Sequence, residues 1–160
     1  MTLDEFHPDT THNPIPAHDQ KITHSYWVNY PPHEPRKTDP NYRDFAAYRR
    51  RTKATAKCAR GLHRNDFSEC DGELELHHSH IEFALQNGVD LTWLEVDYPG
   101  VSDPNTVGAW VESADNLTWL CEKCHRGAGG VHSATASDYE AAKYIRNLIK
   151  GRTQDVAEPD

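Results

Sequence analysis

Apolar residues are spaced unevenly along this chain, and their period changes from one stretch to the next. Between Asp39 and Lys57, Phe45 and Tyr48 fall three apart among polar and basic neighbours, the spacing of a helix with a narrow inward face. Asp39-Pro40 supplies its start, with Asp as N-cap and Pro at the first helical position, and the helix is expected to run to about Lys57. Asp71-Gly72 marks a turn, after which Glu73 to His77 alternates polar and apolar as a short strand does. Ile81 to Asn87 predicts a helix stopped by Asn87-Gly88, and Asp90 to Val96 a second one closed by Pro99-Gly100. Val101 to Asn105 reads as a loop, Val107 to Ser113 as an apolar segment, and Asn116 to Leu120 as a second strand after the Asp115-Asn116 turn. Ser137-Asp138-Tyr139-Glu140 has the form of a capping box, and Ala141, Ile145, Leu148 and Ile149 mark the stripe of a terminal helix ending at Gly151. Short strands among short helices predict an α+β fold.

The ends are of another kind. Residues 1–38 carry Pro8, Pro14, Pro16, Pro31, Pro32 and Pro35 with few periodic apolar positions, so they read as an irregular N-terminal arm. Its aromatic island, Tyr26-Trp27-Val28-Asn29-Tyr30, is expected to pack back on the domain. His7, His12, His18, His24 and His33 are scattered in the arm without ligand spacing. Residues 39–151 form the domain, and 152–160 a disordered tail.

Composition narrows the function classes. At 160 residues with 36 % hydrophobic content, the chain builds one domain with a modest core. A mean hydropathy of -0.85 fits that size of core. No stretch has the length and apolarity of a membrane span, and Met1-Thr2-Leu3-Asp4-Glu5 lacks the features of a signal peptide, so a cytoplasmic protein without a membrane partner is expected. In a reducing compartment Cys58, Cys70, Cys121 and Cys124 are more suited to metal than to disulfides. The net charge of -8 argues against a nucleic-acid partner until its distribution is considered. Arg43, Arg49, Arg50, Arg51, Lys53, Lys57, Arg60 and Arg64 stand against the single acid Asp44, and such a local basic face can contact phosphate.

The chemistry concentrates in two places. Asn116 to His125 reads N-L-T-W-L-C-E-K-C-H and allows three readings: half of a structural zinc site, a c-type haem attachment box, or the end of a nuclease hairpin. Haem attachment belongs to export compartments, and the only methionine is Met1, which disfavours the second. Cys58 and Cys70 would complete a four-thiolate zinc site with Cys121 and Cys124, with His63 as a substitute ligand. The other place is His77-His78-Ser79-His80, at the end of the first strand. In an extended strand His78 and His80 share a side unless the chain bends.

His77-His78 at a strand end, Asn116 opening a second strand, and His125 directly after Cys121-x-x-Cys124 together resemble the HNH endonucleases of the ββα-metal (His-Me finger) class. With Gly127-x-Gly129-Gly130-Val131-His132 they are most similar to small HNH proteins encoded by bacteriophages, over roughly Cys58 to Ile149. The resemblance implies a two-stranded hairpin and a helix clasping a catalytic divalent ion, Mg²⁺, Mn²⁺, Ni²⁺ or Zn²⁺, in addition to the structural Zn²⁺. It implies His78 as general base, His77 and His125 as metal ligands, and Asn116 as the amide that holds the hairpin loop. It makes DNA the partner, which the basic run with Arg49, Arg50, Arg51 and Lys53 is placed to contact on charge alone, with the protein acting as monomer or homodimer. His132 contacts phosphate or metal, or simply forms a tight turn after glycines that allow close backbone approach.

The sequence departs from the family pattern in two respects. Thirty-seven residues separate His78 from Asn116, so Ile81 to Asn105 is expected to be a helical insertion. Ser79-His80 also follows the pair where an aliphatic residue is usual. Sliding the register by two would make His80 the base; otherwise His80 lies near the metal and touches phosphate or leaving group. A branched-DNA resolvase on the same scaffold and a non-catalytic zinc module are the alternatives.

Overall fold

The computed structural model describes residues 15–101 and 103–149. It is an α+β structure around one two-stranded antiparallel sheet, β1 (Leu74–His78) and β2 (Leu117–Cys121), with Leu74 opposite Cys121 and His78 opposite Leu117. The described residues also form six α-helices: α1 (Tyr42–Thr52), α2 (Ala59–Arg64), α3 (Leu91–Asp97), α4 (Pro104–Val111), α5 (Glu122–His125) and α6 (Ala136–Ala141). Among the described residues no helix is long and apolar enough to cross a membrane.

Strand alternation gives the sheet two faces. Leu76, Leu117 and Trp119 form one buried cluster, covered by Phe45 and Tyr48 of α1, and the Trp119 indole donates to Thr52 Oγ1 at 2.9 Å. Glu75, His77, Thr118 and Leu120 alternate onto the other face. There Leu120 packs with Cys58, Cys121, Cys124 and Val131 in a second cluster. The strand end therefore sends His77 and His78 to opposite sides of a sheet only two strands wide.

Several boundaries differ from the sequence expectation, each for a local reason. Asp39 does not cap a helix at Pro40: its Oδ1 accepts from Asn41 N–H at 2.8 Å and its Oδ2 from Gln86, so it closes a turn ahead of α1. The helix stops at Thr52 rather than near Lys57, passing through a 3-10 turn at Lys53–Thr55 into extended backbone at Ala56. The connection between the strands holds more helix than Ile81 to Asn105. After a 3-10 helix at Phe83–Gly88 and α3, capped by Asp90, it includes α4, which starts with the same Asp-Pro signal, Asp103 accepting from Asn105 N–H and Pro104 in the first turn. Leu94, Val107, Trp110 and Val111 give this connection a core of its own.

The terminal helix is also shorter than its stripe suggests. Thr135 caps α6 by accepting from Asp138 N–H, and the helix ends at Ala141. Asn147 adopts a left-handed backbone (φ 55°), and Ile145, Leu148 and Ile149 are exposed, so the stripe finds no core to pay for continued helix. Gly151 and the tail 152–160 lie outside the described residues. So do His7 and His12.

The irregular arm ends sooner than residue 38. Residues 15–35 lack regular structure, and the aromatic island does not pack back: Trp27 is fully exposed and Tyr26 75 % exposed. Pro32, by contrast, accepts from Asn87 Nδ2, His33 meets the edge of Phe83, and Arg36 inserts into the domain.

Candidate metal centres

Cys58 immediately precedes α2, Cys70 follows the turn after it, Cys121 ends β2, and Cys124 lies in the single turn of α5. All four are free thiols, and their sulfurs lie within 4.8 Å of one another. A tetrahedral ion with Zn–S bonds of about 2.3 Å needs sulfurs about 3.8 Å apart, so small side-chain adjustments suffice. Hydrogen bonds from Cys121 and Cys124 push the Cys58 thiol down, whereas burial and then the neighbouring sulfurs push Cys70 up to about 12. Cys124 is pushed up by Cys121 and Cys58. Four thiols this close resist ionising together unless a cation compensates them, which is the behaviour of a thiolate metal site. His63, the substitute ligand, is exposed and lies against Tyr144 instead.

The second candidate centre shares α5. His77 from β1, His125 at the end of α5 and His132 from the returning loop bring one nitrogen each within 4.8 Å of the others. The loop is drawn in by two backbone bonds, Val131 N–H to Cys124 O at 2.9 Å and His132 N–H to His125 O at 3.1 Å. Gly130 makes this approach feasible, because a Cβ there would sit 2.8 Å from Lys123 O. His132 thus takes its place with the two expected ligands.

The orientation of each ring is informative. His125, fully buried, lies with Nδ1 3.2 Å from Glu75 Oε1, and Glu75 is held in turn by two bonds from Arg126. Burial works against the Glu75 charge, but the bonds from Arg126 and His125 outweigh it and hold its carboxyl below the usual range. A carboxylate on the far nitrogen of an imidazole is the usual support of a metal-ligating histidine, fixing the tautomer with the lone pair on Nε2. That Nε2 lies 3.0 Å from His132 Nε2, a separation at which the rings share a proton or a cation. His77 Nδ1 is buried with no hydrogen-bond partner, which costs about 1–3 kcal/mol unless something binds there. Burial first, then its histidine neighbours, lowers His77 to about 3 and His132 to about 4. These two rings are therefore neutral at physiological pH, the form that ligates metal.

His78 points the other way. It is 6 % exposed, stacks on Phe45 at 5.5 Å, and places Nε2 3.0 Å from Glu112 Oε1. Glu82 links it to the trio: Oε2 lies 3.8 Å from His78 Nδ1, and Oε1 lies 3.9 Å from His77 Nδ1 and 3.8 Å from His132 Nε2. Asn116, with no exposed surface, uses its whole amide. Oδ1 accepts from the N–H groups of His80 (2.9 Å) and Ile81 (3.1 Å), and Nδ2 donates to Ile81 O and Val111 O, both at 2.9 Å. The His80 ring stands outside the trio, exposed, against Tyr98 and Trp110 of the connection.

Arg49, Arg50, Arg51 and Lys53 are all exposed along the end of α1 and the turn after it. The basic run is not a single face, however. Arg60 is buried over the Tyr139 ring and donates to Tyr139 O, and Arg64 pairs with Glu69 at 3.1 Å. Glu75, Glu82, Glu112 and Arg36 were not singled out from the sequence. Glu75 left a signal, two residues before His77 on the same strand face, and Glu82 lies only four residues after His78; Arg36 and Glu112 reach the site from distant parts of the chain. No family model, curated protein or solved structure matches this chain.

Proposed function

We propose that this protein is a divalent-metal-dependent endonuclease that hydrolyses DNA phosphodiester bonds, with β1, β2 and α5 as a ββα-metal core. The observation that carries the reading is the convergence of His77, His125 and His132 at the strand end, one carboxylate away from Nδ1 of a fourth histidine, His78. The trio fits a metal: burial keeps the His77 and His132 rings neutral, His125 has carboxylate support, and a buried nitrogen of His77 lacks a hydrogen-bond partner. Imidazole donors suit Zn²⁺ or Ni²⁺ better than Mg²⁺ or Mn²⁺. When bound, such an ion acts as a Lewis acid on the scissile phosphate and stabilises the leaving oxygen.

The chain's own groups supply the rest. His78 Nδ1 takes the proton from the water that attacks phosphorus, the bond to the 3′ oxygen breaks, and 5′-phosphate and 3′-hydroxyl ends result. Asn116 fixes the His80–Ile81 backbone so that β1 ends at His78. The four cysteines hold a structural zinc behind the site, tying α2, β2 and α5 together. Exposed Arg49, Arg50, Arg51 and Lys53 contact backbone phosphates.

Nicking of supercoiled plasmid, with Mg²⁺, Mn²⁺, Ni²⁺ or Zn²⁺ added in turn, tests the reading. Wild-type protein is expected to nick with at least one of them, and His78→Ala to lose about 10²–10⁴-fold in rate. His132→Ala is expected to lose the more weakly held metal while retaining one zinc per chain. Absence of nicking with every metal, or an active His78→Ala, refutes the enzyme and leaves a zinc-containing binding module.

A further inference from the structure

Glu112 is the most deeply buried carboxylate among the described residues, 1 % exposed, and it comes from the connection between the strands. It follows α4 directly. Its Oε2 pairs with Arg36 at 2.9 Å and its Oε1 lies 3.0 Å from His78 Nε2. Arg36 is in turn set over three aromatic rings, 4.3 Å from Phe45, 4.7 Å from Phe83 and 5.0 Å from Tyr42. Buried ion pairs contribute little to net stability against an apolar replacement, so the effect of this one on His78 is its more informative property.

We propose that Glu112 is a positioning residue that fixes the tautomer of His78, making Nδ1 the atom that accepts the proton; this rests on His78 being the base of the proposed reaction. The reasoning is one of donors and acceptors. A carboxylate held by Arg36 accepts only, so the His78 nitrogen facing it carries the hydrogen. A neutral imidazole has one N–H, and the lone pair is then on Nδ1. Nδ1 looks toward Glu82 Oε2 at 3.8 Å, too far for a direct hydrogen bond and on the side of the histidine trio. Phe45 stacked on the ring sets its plane, Glu112 sets its protonated nitrogen, and Arg36 sets Glu112. The helical connection is thereby part of the reaction machinery, and so is Arg36, at the edge of the irregular arm.

Glu112→Gln separates this role from packing, because it preserves shape. Arg36 requires an acceptor, so the glutamine turns its oxygen to Arg36 and its NH2 to His78. His78 must then accept on Nε2 and carry its proton on Nδ1. Two-bond ¹H–¹⁵N correlation spectra of zinc-loaded, ¹⁵N-labelled protein report which nitrogen is protonated. The expected result is Nε2–H in wild type and Nδ1–H in Glu112→Gln, with nicking reduced about 100-fold or more, as wrong-tautomer variants of other enzyme bases are. Glu112→Asp keeps a carboxylate and is expected to keep Nε2–H. Nδ1–H in wild type overturns the proposal whether or not the variants fold, and so does Glu112→Gln with an unchanged tautomer or an unchanged rate. If wild-type protein nicks nothing, the nuclease reading fails by itself, and the spectra still decide whether Glu112 sets the tautomer.

Discussion

Replacing Asn116 by Ala removes four hydrogen bonds while touching no metal ligand. The side chain has no exposed surface, and it bonds to two N–H groups, His80 and Ile81, and to two carbonyls, Ile81 and Val111. At a net value of about 1 kcal/mol each, their loss costs about 4 kcal/mol. The backbone bonds of Asn116 itself, to Ser113 O and from Ser79 N–H, survive the substitution, so the strand pairing should persist. A loss of this size lowers the melting temperature by roughly 10–20 °C for a domain of this length. Melting followed by far-UV circular dichroism, with zinc content measured on the same sample, is the assay. Zinc should stay bound and nicking should fall steeply, because the His80–Ile81 turn no longer fixes the end of β1. Asn116→Asp is expected to be no milder: it keeps the two acceptor bonds but sets an oxygen against two carbonyl oxygens at 2.9 Å. An Asn116→Ala protein melting within about 3 °C of wild type would refute the assignment of the loop to this amide.

Cys124→Ser should leave the protein without zinc and largely unfolded, since structural zinc affinity is folding free energy; a metal-free variant with a normal melting curve counts against the site. Reversing Arg49, Arg50 and Arg51 to Glu should weaken DNA binding and reduce the salt slope by roughly 1–3 in log–log form, with titrations at several salt concentrations as the check. Acid should destabilise protein that keeps its zinc but has lost any histidine-bound ion. His77 is lowered from 6.5 to about 3 by burial and its neighbours, so as pH falls below 6.5 the unfolded chain binds a proton that the folded ring does not. The stability is present above 6.5 and is lost progressively toward pH 3, by roughly 2 kcal/mol between about pH 7 and pH 5. Identical urea midpoints at the two pH values would show that His77 is not desolvated.

The sequence by itself determined the pieces whose signals are local. Alternation in Glu73 to His77 located β1 to within a residue, and the Asn116 run located β2. The spacing of Cys121 and Cys124 announced two candidate ligands in one turn, and Cys58 and Cys70 lie with them as the remaining thiols. Local signals also misled where packing decides the outcome. The stripe from Ala141 to Ile149 has helical period but no surface to cover it, and the aromatic island at Tyr26–Tyr30 has apolar rings but no site in the domain to receive them.

Only the tertiary structure decided how the histidines divide. In sequence His77 and His78 are neighbours of the same chemistry. The strand pleat sends one toward His125 and His132 and the other toward Glu112. His132 joins the trio because Gly130 lets the loop close over α5, and Glu112 reaches His78 because α4 packs its own core beside the strand end. Both depend on contacts between residues far apart in the chain, whose closure follows from packed surfaces and not from any local period. A ligand set is fixed by where lone pairs converge, and that convergence belongs to the fold.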